Sequence, residues 1–172
     1  SLVRIGPDSV PPHPTNGYNS DQALQGFSHT HVSGTGGEGR FGNVRLTPFV
    51  GEPTTEPPTF SRRNERSRVG LYQVCLEPGS IDVELTSSPR CGISRFQFPQ
   101  GCDANILRDA SAVHKFHPLR HAVCLSSEIR WIGNQEFEGS GNFKDGWGHN
   151  HPYDIFFSGT VSQAPARTLV GS

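Results

Sequence analysis

The sequence lacks several features that mark common classes of protein. It contains no methionine and 18% charged residues, and no stretch has the apolar spacing of a convincing amphipathic helix. No apolar run approaches the roughly 18 to 20 residues needed to cross a bilayer. The 15 basic residues are balanced by 16 acidic ones, for a net charge of −1. We therefore expect a protein that neither spans a membrane nor binds nucleic acid.

Signals of export and covalent processing are also scarce. The chain has no basic segment followed by an apolar one, as in a signal peptide, and no N-x-S/T glycosylation sequon. None of the four cysteines, Cys75, Cys91, Cys102 and Cys124, forms a C-x-x-C pair. This argues against a zinc ribbon and leaves three pairings open if two disulfides form. Little lysine beside much glycine, proline, serine and threonine favours a secreted, periplasmic or cell-surface protein.

What the sequence does contain is a series of short alternating segments. Its 20 glycines, 14 prolines and 11 phenylalanines are typical of a turn-rich β protein. Apolar and polar residues alternate with a period of two in the segments 41–51, 72–76, 81–86, 92–98, 105–109 and 153–161. Strands that recur about every 10 to 12 residues predict an all-β fold, an antiparallel β-sandwich with few or no helices. We expect one domain over residues 1–172.

Other segments give weaker indications. Residues 2–5 are expected to form a strand with a turn directly after it. The arginine-rich segment 51–69 is interpreted as a solvated loop, and 139–151 as a second glycine-rich loop. Two strands are expected within 114–138, with Trp131 in the core.

The most unusual stretch is 26–37, which we interpret as a loop. Four glycines, four hydroxyl side chains and two histidines fall within its twelve residues. Glycines allow a ligand to approach the backbone closely, and the other side chains supply hydrogen-bond donors and acceptors. His29 and His31 would face the same way on a strand, as would His149 and His151. Four converging histidines could bind a transition metal, but histidines that line a groove or pack beside it are the favoured interpretation.

No motif in the chain indicates catalytic chemistry. The segment 33–37 lacks the Lys-Ser/Thr of a phosphate-binding loop, and no G-x-S-x-G sequence surrounds a serine nucleophile. Carboxylates that could form a glycosidase pair fall mostly at predicted solvent-facing positions, so we assign no catalytic residue. Trp147 stands between two glycines, where an indole can stack on a sugar ring or close the end of a sandwich.

Several blocks of the sequence resemble a known family. The stretch 26–36 reads GFSHTHVSGTG and is similar to the G-F-S-H-T-H-(L/V)-S-G-T-G signature of glycoside hydrolase family 92, the calcium-dependent exo-α-mannosidases. Residues 60–72 resemble the family's F-S-H-x-x-E-x-A-x-P-G-Y-Y block, and residues 84–99 resemble E-L-T-x-T-x-R-x-G-x-x-x-x-x-F-P. The segment 146–157 resembles a later G-W block and strand, so the resemblance covers nearly the whole chain.

The resemblance implies that the chain is the N-terminal β-sandwich, of a galactose-mutarotase or lectin-like type, of an enzyme that removes terminal α-linked mannose. In this family the sandwich precedes an (α/α)₆ barrel, which carries the catalytic carboxylates and most ligands of the Ca²⁺ ion used in an inverting hydrolysis. We therefore expect a piece of a longer protein that holds no metal itself. Its expected partners are its own catalytic barrel and mannose-containing glycans.

The resemblance also indicates which residues contact substrate. The candidates are two histidines, two hydroxyl residues, one acid and one indole: His29, His31, Ser33, Thr35, Glu65 and Trp147. The linkage specificity stays open because the chain departs from the family pattern at Arg62, Ser67, Val69 and Leu71.

Two other functions remain open on the sequence alone. One is a free-standing, lectin-like carbohydrate-binding sandwich without hydrolase activity. The other is a metalloenzyme built on the histidine pairs. Affinity for mannose without a catalytic barrel would favour the first, and stoichiometric bound metal would favour the second.

Overall fold

The computed structural model describes residues 3–11, 17–31, 41–115, 122–146 and 151–171, and strands dominate these ranges. In chain order the strands are β1 (Gly6–Val10), β2 (Ala23–Ser28), β3 (Arg45–Val50), β4 (Ser61–Arg68), β5 (Leu71–Glu77), β6 (Ile81–Ser87), β7 (Gly92–Gln97), β8 (Ala104–Asp109), β9 (Ala122–Trp131), β10 (Glu136–Asp145) and β11 (Tyr153–Thr160). Within the same ranges, no helix has the length and apolarity that crossing a membrane requires.

The strands form three sheets. The first has the order β1-β2-β3-β8, the second β4-β5-β6-β7 and the third β9-β10-β11. Neighbouring strands are antiparallel in all three. The first and second sheets share one hydrophobic core, so the predicted all-β antiparallel sandwich is confirmed.

The core lies between β2 and β3 on one side and β5 and β6 on the other. It consists of the buried side chains Leu24, Phe27, Phe49, Phe60, Val74, Leu76, Ile81, Val83 and Leu85. The ring of Phe27 is fully buried and lies 6.4 Å from that of Tyr72 and 6.2 Å from that of Phe96, both on the facing sheet. Buried and solvent-facing positions alternate along β6, as the sequence predicts for a half-buried strand.

The third sheet has a smaller apolar layer. Phe143 is fully buried and stacks on Tyr153, with ring centroids 5.5 Å apart. Arg108 of β8 lies 4.2 Å from the ring centroid of Trp131 and 4.5 Å from that of Phe137. This contact joins the third sheet to the first and leaves Trp131 half-buried. The prediction that Trp131 lies in the core is therefore wrong: it is half-buried and outside the core cluster, and its ring contacts the guanidinium of Arg108.

The arginine-rich segment contains a strand where its charge predicts a loop. β4 pairs with β5, with an irregularity between Arg63 and Arg66, and it lies at the edge of its sheet. Its side chains are mostly exposed, and Arg63 forms an ion pair with Glu77 at 2.9 Å. Charged edge strands protect a sheet from pairing with other chains. The same charged residues prevent the strand from being predicted, because neither of its faces shows the apolar alternation of a half-buried strand.

The glycine-rich segment that begins at Gly139 is also predicted as a loop, but β10 runs through it to Asp145. A Cβ atom built on Gly139 would lie 2.3 Å from the ring of Phe157, and one built on Gly141 would lie 2.4 Å from the ring of Phe143. Aromatic rings therefore cover the glycines of this strand and replace the side chains they lack.

Three smaller predictions also differ from the structure. Residues 6–10 form β1 where a turn is expected, because they pair with β2 across a bulge after Asp8. Residues 26–28 belong to β2 and not to a loop. The two short strands expected within 114–138 are one strand, β9, with β10 beginning at Glu136. The four cysteines, whose pairing the sequence leaves open, are free thiols.

We expect Phe27→Ala to lower the free energy of unfolding by about 3–5 kcal/mol, because it removes a buried ring and leaves a cavity between the sheets. Chemical denaturation measures the loss. Phe156→Ala is the matched control, since Phe156 is 80% exposed on β11 and its truncation should change the free energy by less than about 0.5 kcal/mol. Equal losses in the two variants would contradict the core position of Phe27.

Candidate functional site

A buried carboxylate lies where three segments of the chain meet. Asp8 of β1 is 1% exposed, and its Oδ1 accepts a hydrogen bond from Ser28 Oγ at 2.8 Å. The same atom lies 2.7 Å from His114 Nε2 and 3.0 Å from His31 Nε2. Burial alone would raise the pKa of Asp8, but His114 and His31 hold the pKa well below its ordinary value through charge and hydrogen bonds. We call Asp8, Ser28, His31 and His114 the buried polar cluster.

A second set of hydrogen bonds holds the backbone that carries the cluster. Thr30 Oγ1 donates to Asn43 Oδ1 at 3.0 Å and accepts from the Asn43 backbone N–H at 2.7 Å. Asn43 is fully buried, and its Nδ2 donates to the carbonyl two residues before His114 at 3.1 Å. The backbone N–H of His114 donates to the Phe41 carbonyl at 2.7 Å. These bonds bring His31 and His114 together although they are far apart in the sequence.

Two glycines make the space that the His114 ring occupies. Gly17 and Gly42 have φ angles of 81° and 87°, in the region that favours glycine. A Cβ atom built on Gly17 would lie 2.1 Å from the imidazole, and one built on Gly42 would lie 2.3 Å from it. The ring is 4% exposed and meets that of His31 edge-on, with centroids 5.1 Å apart. The backbone is thus shaped to hold this histidine.

The cluster contains serine, histidine and aspartate, but it is not a hydrolytic triad. In a triad the serine and the aspartate contact opposite nitrogens of the histidine ring. Here Ser28 Oγ and Asp8 Oδ1 both lie 3.0 Å from the same atom, His31 Nε2. Ser28 is also fully buried, so a substrate cannot reach its hydroxyl group.

His29 is a packing residue beside the cluster. Its Nδ1 donates a hydrogen bond to the Val44 carbonyl at 2.6 Å, and its ring lies so close to Gly92 that an added Cβ atom would be 2.8 Å away. Burial lowers the pKa of His29, although the hydrogen bond to Val44 opposes this shift, so the ring is neutral at neutral pH. His29 does not belong to the walls of the cleft that His31 lines.

That cleft is open, has a volume of about 630 Å³ and runs alongside β1, β4 and β5. Its walls include His31 and Glu65. The sequence indicates both as candidate substrate contacts, and the fold brings them to the same cleft although they are far apart in the sequence. Two tyrosines and three arginines also line it: Tyr18, Tyr72, Arg4, Arg66 and Arg68. Polar side chains along a groove of this size suit a hydrophilic ligand.

Two phenol groups hold the side chain of Glu65. Its Oε1 accepts hydrogen bonds from Tyr72 at 2.6 Å and from Tyr18 at 2.9 Å, and Arg62 Nε lies 3.7 Å from its Oε2. Burial and the bond to Glu65 raise the pKa of both tyrosines, so both stay protonated and donate. The residue before, Asn64, has a φ of 55° within the irregular part of β4, where the register with β5 shifts between Arg63 and Arg66; Glu65 lies in this part of the strand and is half-buried.

The remaining predicted contacts cannot be placed, because they lie outside the described residues: Ser33, Thr35 and Trp147. Sequence reasoning missed Asp8 and His114. Asp8 follows Gly-Pro, which predicts a turn, and His114 stands in a segment without strand periodicity. Neither carries a local signal, so packing between distant segments is needed to find them.

Among the described residues, the group that could hold a metal ion consists of Asp8, His31 and His114, whose ligand atoms lie within 4.8 Å of one another. The alternative set with His29 and His149 stays a hypothesis, because His149 lies outside the described residues. Ca²⁺, which the resemblance implies, takes about six to eight oxygen ligands. This nitrogen-rich group does not fit Ca²⁺.

We expect Asp8→Asn to reduce the free energy of unfolding by about 3–5 kcal/mol at pH 7, because removing one member of a buried charged group leaves the others uncompensated. Urea or guanidinium titration gives this value. Asp103→Asn changes an exposed carboxyl in the same way and should cost less than about 0.5 kcal/mol. An Asp8→Asn variant as stable as the natural chain would refute the central role of this carboxylate.

Comparison with known proteins agrees with the motifs. No curated protein matches the chain, but it is similar to the solved structure of the family GH92 α-mannosidase BT3965 from Bacteroides thetaiotaomicron, with a TM-score of 0.81 and 28% identity. The structure of that enzyme with mannoimidazole gives 0.80 at the same identity. Each match covers 94% of this chain and 22% of the enzyme. The family described as "Glycosyl hydrolase family 92 N-terminal domain" matches residues 1–171, and the chain therefore belongs to this family.

Proposed function

We propose that this chain is the N-terminal domain of an exo-acting α-mannosidase that removes terminal α-linked mannose from glycans. The observation that carries the proposal is the family 92 match over residues 1–171, together with similarity to an α-mannosidase whose structure is known with mannoimidazole. Because the chain spans 22% of that enzyme, the proposal assigns the cleavage chemistry to a second domain.

In this proposal the cleft forms one wall of the sugar pocket. Glu65 is a carboxylate acceptor held by Tyr18 and Tyr72, and such an acceptor can orient a sugar hydroxyl. His31 is held by Asp8 and presents a ring of fixed orientation to the same cleft. Ser33, Thr35 and Trp147 are proposed as further contacts, with the indole stacking on the sugar ring.

The proposed partner is a C-terminal (α/α)₆ barrel that docks on this domain and closes the cleft. The barrel would supply the carboxylates of an inverting hydrolysis, in which a base activates water on the face of the sugar opposite the leaving group. A Ca²⁺ ion bound in the barrel would supply Lewis-acid stabilisation and assist distortion of the mannose ring. We propose a secreted, periplasmic or cell-surface location, where such an enzyme meets glycans.

This chain alone should release no mannose from α-mannobiose, even with Ca²⁺ present, because it is assigned none of the catalytic carboxylates. A longer protein that contains it and the barrel should release mannose under the same conditions. Chromatographic detection of free mannose makes the measurement, with circular dichroism to show that the isolated chain is folded. Turnover by the isolated chain would contradict the assignment of catalysis to a second domain.

In the full-length enzyme, Glu65→Gln should lower kcat/KM by about 10- to 100-fold, the cost of weakening a charge-assisted hydrogen bond to the sugar. Glu77→Gln is the matched control, because Glu77 is an acid on the neighbouring strand that pairs with Arg63 outside the cleft. Its kcat/KM should stay within about twofold of the natural enzyme. Equal kcat/KM values for the two variants would contradict the proposal that Glu65 contacts the sugar.

The cleft lies within this chain, and this favours one alternative, a lectin-like carbohydrate-binding sandwich without hydrolase activity. Isothermal calorimetry of the isolated chain with mannose separates the two functions. Measurable affinity would support the binding module. Absence of binding, combined with activity of the longer protein, would support a pocket that is completed across two domains.

A further inference from the structure

The buried polar cluster has the composition of a metal site. Asp8, His31 and His114 bring one carboxylate oxygen and two imidazole nitrogens within 4.8 Å of one another. We propose that these three side chains bind a structural Zn²⁺ ion. Imidazole and carboxylate groups are common ligands of zinc. The proposal does not rest on mannosidase activity, and it departs from the expectation that this chain holds no metal.

Five short contacts within the cluster compete for too few hydrogen atoms. Asp8 Oδ1 lies 2.8 Å from Ser28 Oγ, 2.7 Å from His114 Nε2 and 3.0 Å from His31 Nε2. His31 Nε2 also lies 3.0 Å from both Ser28 Oγ and the Gly6 carbonyl oxygen. The carboxylate and the carbonyl supply no hydrogen, and the hydroxyl and each ring nitrogen supply at most one. At most three of these contacts are two-centre hydrogen bonds, so the cluster holds more short polar contacts than its hydrogen atoms can fill.

The second oxygen of Asp8 is an independent indication. Asp8 Oδ2 is buried and has no hydrogen-bond partner within the described part of the chain. Buried polar atoms are seldom left in this state, because nothing replaces the hydration they lose. A metal ligated by this carboxylate would compensate the charge that the unpaired oxygen carries.

The distances are close to those of a zinc site. Zn²⁺ with bonds of about 2.0–2.1 Å in tetrahedral geometry separates neighbouring ligand atoms by about 3.3 Å. The distances from Asp8 Oδ1 to His114 and His31 are 2.7 and 3.0 Å, so small side-chain rotations would admit the ion. Ser28 Oγ lies next to both Asp8 and His31 and is placed for the fourth position.

The surroundings of the cluster are those of a structural ion. The side chains of His31 and His114 are 6% and 4% exposed, and Gly17 and Gly42 enclose the second ring. An ion here would join β1, the end of β2 and the segment after β8. Because binding to a structural site contributes directly to folding, the ion would stabilise the domain and fix the ring of His31 at the wall of the cleft.

The test uses this chain purified without a histidine tag. After dialysis, elemental analysis should find one Zn²⁺ per chain. A chelator should lower the Tm, and Zn²⁺ returned at a hundredfold excess over its Kd should raise the Tm by about 5–10 °C. Substitution with Co²⁺ should produce the visible absorption bands of a tetrahedral nitrogen and oxygen site.

Variants identify the ligands. His31→Gln and His114→Gln should each lose the zinc, whereas His151→Gln, which removes an exposed histidine, should retain it. Circular dichroism establishes that each variant is folded, and if a ligand variant does not fold, the zinc content and Co²⁺ spectrum of the natural chain decide. A folded natural chain without zinc, whose Tm does not respond to Zn²⁺, would overturn the proposal. Retention of zinc by folded His114→Gln would overturn it equally.

Discussion

The buried carboxylate of Asp8 imposes a constraint on the first sheet and on the segments around it. A charged group that is 1% exposed requires partners that supply hydrogen atoms or positive charge. These partners come from Ser28 at the end of β2, from His31 beyond that strand and from His114 after β8. Meeting the requirement ties the first strand to residues more than a hundred positions away. The two left-handed glycines that enclose His114 follow from the same need.

Residues of the family signature differ in what they contact. Ser28 satisfies Asp8, and His29 packs against the Val44 carbonyl, so both serve the stability of the sandwich. His31 belongs to the buried polar cluster and also lines the cleft, so its bond to Asp8 fixes the orientation of one wall residue. Glu65 reaches the cleft from the second sheet. Residues of the motif that identifies the family therefore also stabilise the edge of the β-sandwich through buried hydrogen bonds.

Local patterns reveal those strands that have one apolar face. β6 is clear in the sequence because its buried apolar positions alternate with polar ones, and β5, its hairpin partner, shows the same alternation of residue types in the sequence. β4 is not recognisable in the sequence because it is a charged edge strand without an apolar face. β10 is not recognisable because Gly139 and Gly141 have no side chains, and the aromatic rings of other residues pack against them. β1 overrides the turn propensity of Gly6-Pro7 through its pairing with β2.

The sequence by itself determined the fold class and the family, because both are encoded locally, in alternation with a period of two and in a contiguous signature. It also named His31 and Glu65 among the candidate contacts. The tertiary structure alone decided that these two share a cleft, that His29 contacts the Val44 carbonyl outside the walls of that cleft, and that Asp8 meets His114. Such facts depend on contacts between residues remote in the sequence, and no local pattern specifies those distances.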